Sequence, residues 1–190
     1  MTHITGIIGR KSCGKSTAAS TLADQNGFTV VKFADPLKEM LRTLFYVAGY
    51  DETEIERFIE GDLKESPVDI LNGKSARHAM QTRGTEWGRN QIGEEFWTNL
   101  FISRAGQRRL VVCDDCRFEN EANLIADNGG VLIRLLRPDQ AVAGPIPDKH
   151  PSEVEMDKIR CHHFIYNDGS IMDLYRKVKA VAYDRTPERR

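Results

Sequence analysis

The chain has 190 residues, 40% of them apolar, and sets 27 lysines and arginines against 28 acids. That composition supports one sizeable core, so a single domain over residues 1–190 is expected. A formal net charge of −1 excludes a global pull towards nucleic acid polymers or anionic membranes, and no apolar run nears the roughly 20 residues that span a bilayer.

Residues 4–8 form a short apolar run beside glycines, as expected of a strand buried on both faces of a parallel sheet. A glycine turn follows, then a predicted helix over 15–25 with Asn26-Gly27 as its stop. Residues 29–33 read as a second strand. From Pro36 the pattern turns helical, with Leu37, Met40, Leu41, Leu44 and Phe45 at spacings of three and four, and Asp35 as the expected N-cap. Residues 51–72 are acidic and carry one narrow stripe, Ile55, Phe58 and Ile59, on a short helix of an inserted surface subregion. Two further helices are predicted over 75–83 and 94–104, the second bearing Phe96, Trp97, Leu100 and Phe101. A third strand over 109–114, a helix over 118–128 closed by Gly129-Gly130, and a fourth strand over 131–136 come next. Residues 137–151 are a loop rich in proline and charge, followed by a short polar segment, a fifth strand over 163–166 and a last helix from Ser170 to about Tyr183. The tail from Thr186 should fray.

Strands alternating with helices imply parallel neighbours joined by right-handed crossovers. The expected architecture is therefore three-layer α/β, a five-stranded parallel sheet between helices, with a small helical insertion and a loop able to act as a lid. In such sheets ligands bind beyond the carboxyl ends of the strands, so the informative residues should follow strand ends.

After the first strand stands Gly9-Arg10-Lys11-Ser12-Cys13-Gly14-Lys15-Ser16, a full match to G-x-x-x-x-G-K-[ST] between a predicted strand and a predicted helix. Glycines let the backbone curl around a polyphosphate at the positive end of the helix. Lys15 would reach the β- and γ-phosphates of ATP and the Ser16 hydroxyl would ligate Mg²⁺. Arg10 reads as solvated charge, whereas Lys11 can lean towards a second phosphate-bearing substrate. After the third strand come Asp114 and Asp115. A carboxylate there can hold Mg²⁺ opposite Ser16 or accept a proton, and Asp115 can alternatively cap the next helix.

Cys113 and Cys116 form a lone C-x-x-C to which Cys161, His162 and His163 could add, but strand alternation would part the two thiols if the strand continued that far. Cysteines in a phosphate loop and a core strand do not suit structural disulfides, and the start of the chain lacks a signal-peptide layout. Both features point to the cytoplasm.

Taken in order, these segments resemble the bacteriophage deoxynucleoside monophosphate kinases, within the P-loop nucleoside monophosphate kinases. The resemblance rests on the phosphate loop with Thr17 and on Phe33-Ala34-Asp35-Pro36-Leu37-Lys38. Arg77, Met80-Gln81 and Arg83-Gly84-Thr85 continue it, as do Phe96-Trp97 and Asp115-x-Arg117-x-x-x-Glu121. Downstream, Arg137-Pro138, His150-x-Ser152-Glu153 and Asn167-Asp168-Gly169-Ser170 complete it over nearly the whole chain. The resemblance implies transfer of the γ-phosphoryl of ATP to a deoxynucleoside 5′-monophosphate. It implies an ATP site at Gly9, Ser12, Cys13, Gly14, Lys15, Ser16 and Thr17 with Arg137 and Asn167. Its acceptor site would be Lys11, Lys38, Arg77, Gly84, Thr85, Trp97, Asp115, Arg117 and Glu121, with Lys15, Asp114, Asp115 and Arg137 catalytic and Ser16 and Asp114 on the metal. Residues 49–107 would form a helical monophosphate-binding region and 137–160 a lid whose cations include Arg137, Lys149, Lys158 and Arg160, with His150 and Glu153 as lid structure. A homodimer is a further expectation of the resemblance.

Cations such as Lys11, Lys38, Arg77 and Arg117 would offset the repulsion between two phosphates, and Trp97 would either offer a base a flat face or belong to the apolar core beside Phe96. Arg117 and Glu121 could instead simply pair on a helix surface, and Lys38, in a helix first turn, is placed as if for an external anion. Two other functions fit the same scaffold: another small-molecule kinase, with an acceptor such as dephospho-coenzyme A or gluconate, and a nucleotide-binding regulatory module.

Overall fold

The computed structural model describes residues 2–138 and 151–184, without the side chains of 151–154. Lys149, His150, the Glu153 side chain and the tail from Thr186 lie outside the described residues. In chain order the elements are β1 (His3–Ile8), α1 (Lys15–Asn26), β2 (Thr29–Val30), α2 (Asp35–Val47), α3 (Glu52–Ile59), β3 (Pro67–Val68), β4 (Lys74–Ser75) and α4 (Ala76–Thr82). A π-helix (Arg83–Ile92), α5 (Phe96–Ala105), β5 (Leu110–Cys113), α6 (Glu119–Asp127), β6 (Val131–Leu136), α7 (Pro151–Lys158), β7 (His163–Tyr166) and α8 (Ile171–Val181) follow.

β1, β2, β5, β6 and β7 form one parallel sheet in the order β2-β5-β1-β6-β7. Strand alternation sends one set of side chains to each face. Ile7, Val112, Ile133 and Ile165 pack with Ala18, Ala19 and Leu22 of α1 and Leu174 and Val178 of α8. Ile4, Ile8, Val111, Cys113 and Leu132 pack on the other face with Phe101 of α5, Ala122 and Ile125 of α6, and Met156 of α7. Helices cover both faces, which is why the central strands can be apolar throughout.

The chain divides into two compact units, Met1–Phe33 with Thr98–Arg190, and Ala34–Trp97. The second unit thus starts before residue 49 and takes in α2. Its own core joins Leu41 and Phe45 of α2 to Ile55, Phe58 and Ile59 of α3, with Val68 and Ala76, so the stripe read from the sequence is buried rather than superficial.

Several boundaries differ from expectation for physical reasons. β2 is only Thr29–Val30, although Val31 N–H still donates to Val112 O at 3.0 Å. Asp35 is the first helical residue of α2, with Ala34 at the cap, where its carboxylate meets the positive end of the helix. The polar segment after residue 150 is helical as α7, held at its C-terminus by Arg134, whose Nη2 donates to Met156 O and Ile159 O, both at 2.8 Å. Because β5 ends at Cys113, alternation does not part Cys113 from Cys116, and both thiols enter the same apolar cluster. Burial pushes both thiols well up, which makes them poor nucleophiles and poor metal ligands.

Candidate functional site

All the large-sheet strands being parallel, the residues after β1, β5, β6 and β7 gather at one end of the sheet, beside the point where connections from β1 and β6 diverge. Local backbone geometry shapes the turn after β1. Gly14 has φ +103, and a Cβ there would lie 2.6 Å from Asn167 Nδ2. At Gly9 a Cβ would lie 2.6 Å from both Cys13 Sγ and Leu135 O. Ser12 holds a left-handed φ of 64° without glycine's freedom, a strain of the sort stored at working sites.

The loop is fastened from inside and outside. Cys13 N–H and Lys15 Nζ both donate to Arg10 O, at 3.3 and 2.8 Å, so the lysine spans the turn. Asn167, following β7, donates Nδ2–H to Cys13 O at 2.9 Å. α1 then begins on Gly14 with no side-chain cap and no acid in its first turn. Its positive end and amide groups therefore suit an outside anion, with the exposed Ser16 and Thr17 beside it.

The two acids after β5 do different jobs. Asp114 is 3% exposed and accepts a hydrogen bond from Lys32 Nζ through Oδ2 at 3.2 Å. Its Oδ1 lies 3.0 Å from the same ammonium as an ion contact but is buried and accepts no well-directed hydrogen bond. Asp115 Oδ1 accepts Phe33 N–H at 3.0 Å and Cys113 Sγ–H at 3.2 Å, holding the chain beyond β2 to the end of β5. Asp115 is thus not the cap of α6, whose cap position is Phe118. Lys32 was not singled out from the sequence, although a lysine in the apolar run Val30-Val31-Lys32-Phe33 was the signal for a buried carboxylate partner. Arg104 supports it by donating Nη1–H to Lys32 O at 3.1 Å.

Around the loop, Arg10 is not simply solvated. Its Nη2 lies 3.7 Å from Asp157 Oδ2 on α7, and Asp157 Oδ1 lies 3.9 Å from Arg134 Nη1. Arg137, just past β6, is exposed and has no partner among the described residues. Lys11 is exposed at the crest of the loop.

Arg117 is exposed, and among the described residues no carboxylate pairs with its guanidinium. Glu121 is 4% exposed and accepts the N–H groups of Arg117 and Phe118 through Oε2, at 2.8 and 3.2 Å. The two residues therefore do not meet as a surface side-chain pair. Glu121 shapes the start of α6 and so positions Arg117.

In the second unit the expected acceptor cations already have partners. Lys38 Nζ meets Glu60 Oε1 at 2.6 Å with its side chain 12% exposed, so the anion near the start of α2 is internal. Arg77 Nη1 lies 3.2 Å from Glu65 Oε1. For Trp97 the structure shows the core alternative. It is 4% exposed, donates Nε1–H to Gly84 O at 2.8 Å, and a Cβ at Gly88 would sit 2.4 Å from that same nitrogen. A ring packed so closely offers no open face for stacking. Thr85 is exposed on the π-helix.

Comparison with known proteins bears on the family and the fold. The profile of the family described as deoxynucleotide monophosphate kinase matches residues 44–178. A protein of Acanthamoeba polyphaga mimivirus named for the same activity is 33% identical over 187 residues, covering 91% of this chain and 92% of its own. Among solved structures, shikimate kinase from Aquifex aeolicus superposes with a TM-score of 0.53 at 11% identity, covering 93% of this chain and 94% of that one. A Thermus thermophilus protein superposes with a TM-score of 0.51 at 20% identity, covering 95% and 96%. At those identities the structures speak for the fold alone.

Proposed function

The chain belongs to the deoxynucleotide monophosphate kinase family, and from that premise we propose that it transfers the γ-phosphoryl group of ATP to the 5′-phosphate of a deoxynucleoside monophosphate. The products are the diphosphate and ADP. The observation that carries the donor half of the reading is the loop over residues 9–16, with Lys15 spanning it and the uncapped start of α1 behind it. Lys15 exchanges the Arg10 carbonyl for phosphate oxygens and follows the charge as it moves to the bridging oxygen.

Asp114 fits a divalent cation, because a hard ion prefers carboxylate oxygen and the buried Oδ1 lacks a hydrogen bond. Ser16 and Asp114 would hold Mg²⁺, which would supply neutralisation of the phosphate charge. Lys32 orients the Asp114 carboxylate in its buried position. No general base is required of Asp114 or Asp115. The attacking oxygen belongs to a phosphate whose second pKa is about 6, so it is already deprotonated near neutral pH.

Acceptor binding falls in this reading to Lys11 and Arg117, with Lys38, Arg77, Gly84 and Thr85 of the second unit. Arg117 has the strongest support, since its guanidinium lacks a carboxylate partner among the described residues while Glu121 fixes its backbone. Arg137 would screen the donor phosphates; residues 139–150 of the expected lid lie outside the described residues. Four free cysteines suit the reducing cytoplasm, and no helix among the described residues is long and apolar enough to cross a membrane.

The test is ADP release with ATP, Mg²⁺ and each of the four common deoxynucleoside monophosphates and their ribose counterparts. Release that depends on at least one deoxynucleoside monophosphate is expected. Release only with a non-nucleotide acceptor such as shikimate, gluconate or dephospho-coenzyme A would overturn the reading.

A further inference from the structure

A buried carboxylate and a lysine meet where β2 and β5 run out. Val30 pairs with Val112 in the parallel register, so Lys32 and Asp114, each two residues further on, come out level with one another. The Lys32 ammonium lies 3.0 Å from Asp114 Oδ1 and 3.2 Å from Oδ2, and so faces both oxygens at once. Asp114 Oδ1 is nevertheless buried without a well-directed hydrogen bond. Charge alone holds that contact, and another cation can supply the same charge.

The two partners differ in their freedom to move. The Asp114 side chain is 2% exposed and that of Lys32 is 27% exposed, so the lysine has a route to water that the carboxylate lacks. The main chain around Lys32 is pinned on each side. Val31 N–H donates to Val112 O at 3.0 Å, Arg104 Nη1–H donates to Lys32 O at 3.1 Å, and Phe33 N–H donates to Asp115 Oδ1 at 3.0 Å. Lysine carries a strongly hydrated point charge on a flexible stem, whereas arginine would lock both carboxylate oxygens in a rigid fork. The ammonium can therefore leave Asp114 while the backbone stays in place.

We propose that Lys32 is a resident cation that holds the metal's place on Asp114 and yields it only to a metal that arrives with nucleotide phosphates. The proposal rests on the kinase reading, with Asp114 as a metal ligand, and adds an order of binding to it. A buried carboxylate left bare is strongly destabilising, so exchange of one cation for another is favoured over loss of the first. Mg²⁺ dehydrates reluctantly and has little to gain from a carboxylate that an ammonium already neutralises. Nucleotide phosphates add the negative charge that favours the divalent ion. Free metal is thus refused, and metal is accepted together with ATP.

Metal binding to the nucleotide-free protein tests this without turnover. Mn²⁺, followed by loss of its free electron paramagnetic resonance signal, should bind Lys32→Met about tenfold or more tightly than it binds the wild type. Adding Asp114→Asn to Lys32→Met should abolish that gain, which places the gain at Asp114. Thermal melts give a second reading: Lys32→Met should start from a lower Tm and recover as Mg²⁺ is added, while the wild-type Tm stays unchanged. Should Lys32→Met be unfolded without metal, recovery of its circular dichroism spectrum on addition of Mn²⁺ is the same result. A lysine that serves only as a strut predicts a lower Tm with no repair by metal. Equal Mn²⁺ affinity in wild type and Lys32→Met, a gain that persists with Asp114→Asn, or a loss of folding that metal does not repair overturns the proposal while leaving the kinase reading intact. Failure of the wild type to make a diphosphate from any of the four common deoxynucleoside monophosphates overturns the kinase reading itself.

Discussion

Lys15 of the loop after β1 and the cations of the helical unit over Ala34–Trp97 differ in the bonds that hold them. Lys15 donates to the main-chain carbonyl of Arg10 across the turn, while Arg10 itself lies near the Asp157 carboxylate. In the helical unit Lys38 and Arg77 are bonded to carboxylates, Glu60 and Glu65. A phosphate that recruits them must compete with an anion already in place. The difference teaches that a donor site at the loop, as proposed, would be preformed by backbone geometry, whereas an acceptor site drawing on the helical unit would be tuned by ion-pair exchange.

The sharpest way to break this contrast is at Lys15. Replacement by Met should lower kcat by about a hundredfold or more, the scale of losing one charge-stabilising donor, with the circular dichroism spectrum unchanged. Gly14→Ala should come next. A side chain at φ +103, with its Cβ 2.6 Å from Asn167 Nδ2, should destabilise the fold by about 1–3 kcal/mol and weaken ATP binding, read as a lower Tm with a raised KM for ATP. An unchanged Tm would mean that the loop relaxes freely and is not preformed.

Glu60→Gln probes the other side with a smaller effect. If Glu60 competes for Lys38, the KM of the monophosphate should fall a few-fold, in keeping with about 0.5–1 kcal/mol for an ion pair of this exposure. A lower Tm with unchanged KM would make Lys38 a strut between α2 and the end of α3. The smallest effect belongs to the turn that carries Asn167. A hydrogen bond from Lys177 holds the Asp168 carboxyl below its usual range. Its stabilising share is therefore present above the ordinary carboxylate pKa and lost as pH falls through the lowered value. Lys177→Ala should return the Asp168 titration, followed by NMR, to the usual range and flatten the acid side of the stability profile slightly.

The same contrast explains what could be read from the chain. The phosphate loop was legible because its chemistry is local: glycine spacing, a strand before it and a helix after it act within sixteen residues of the N-terminus. β6 and β7 were likewise legible to the residue, since apolar runs bounded by turn residues carry the strand signal. The partners of Lys38, Arg77 and Asp114 depend on residues brought near by folding, as Lys32 is to Asp114 across 82 positions. Trp97 was left between two readings for a related reason. An aromatic on an apolar helix reads alike whether its face is open or covered, and the covering residue is Gly88, which signals little by itself. The π-helix went unseen because its i→i+5 period has no familiar hydrophobic signature, although Gly93 marks its end. α7 was hidden by polarity, its hold on the sheet coming from Arg134 and Met156.

The central claim is that the chain moves a phosphoryl group between two nucleotides rather than merely holding one. Product stoichiometry by anion-exchange chromatography tests it most directly, with ATP, Mg²⁺ and the preferred deoxynucleoside monophosphate. One deoxynucleoside diphosphate formed for each ADP is the expected result. ADP appearing with inorganic phosphate and no diphosphate would contradict it.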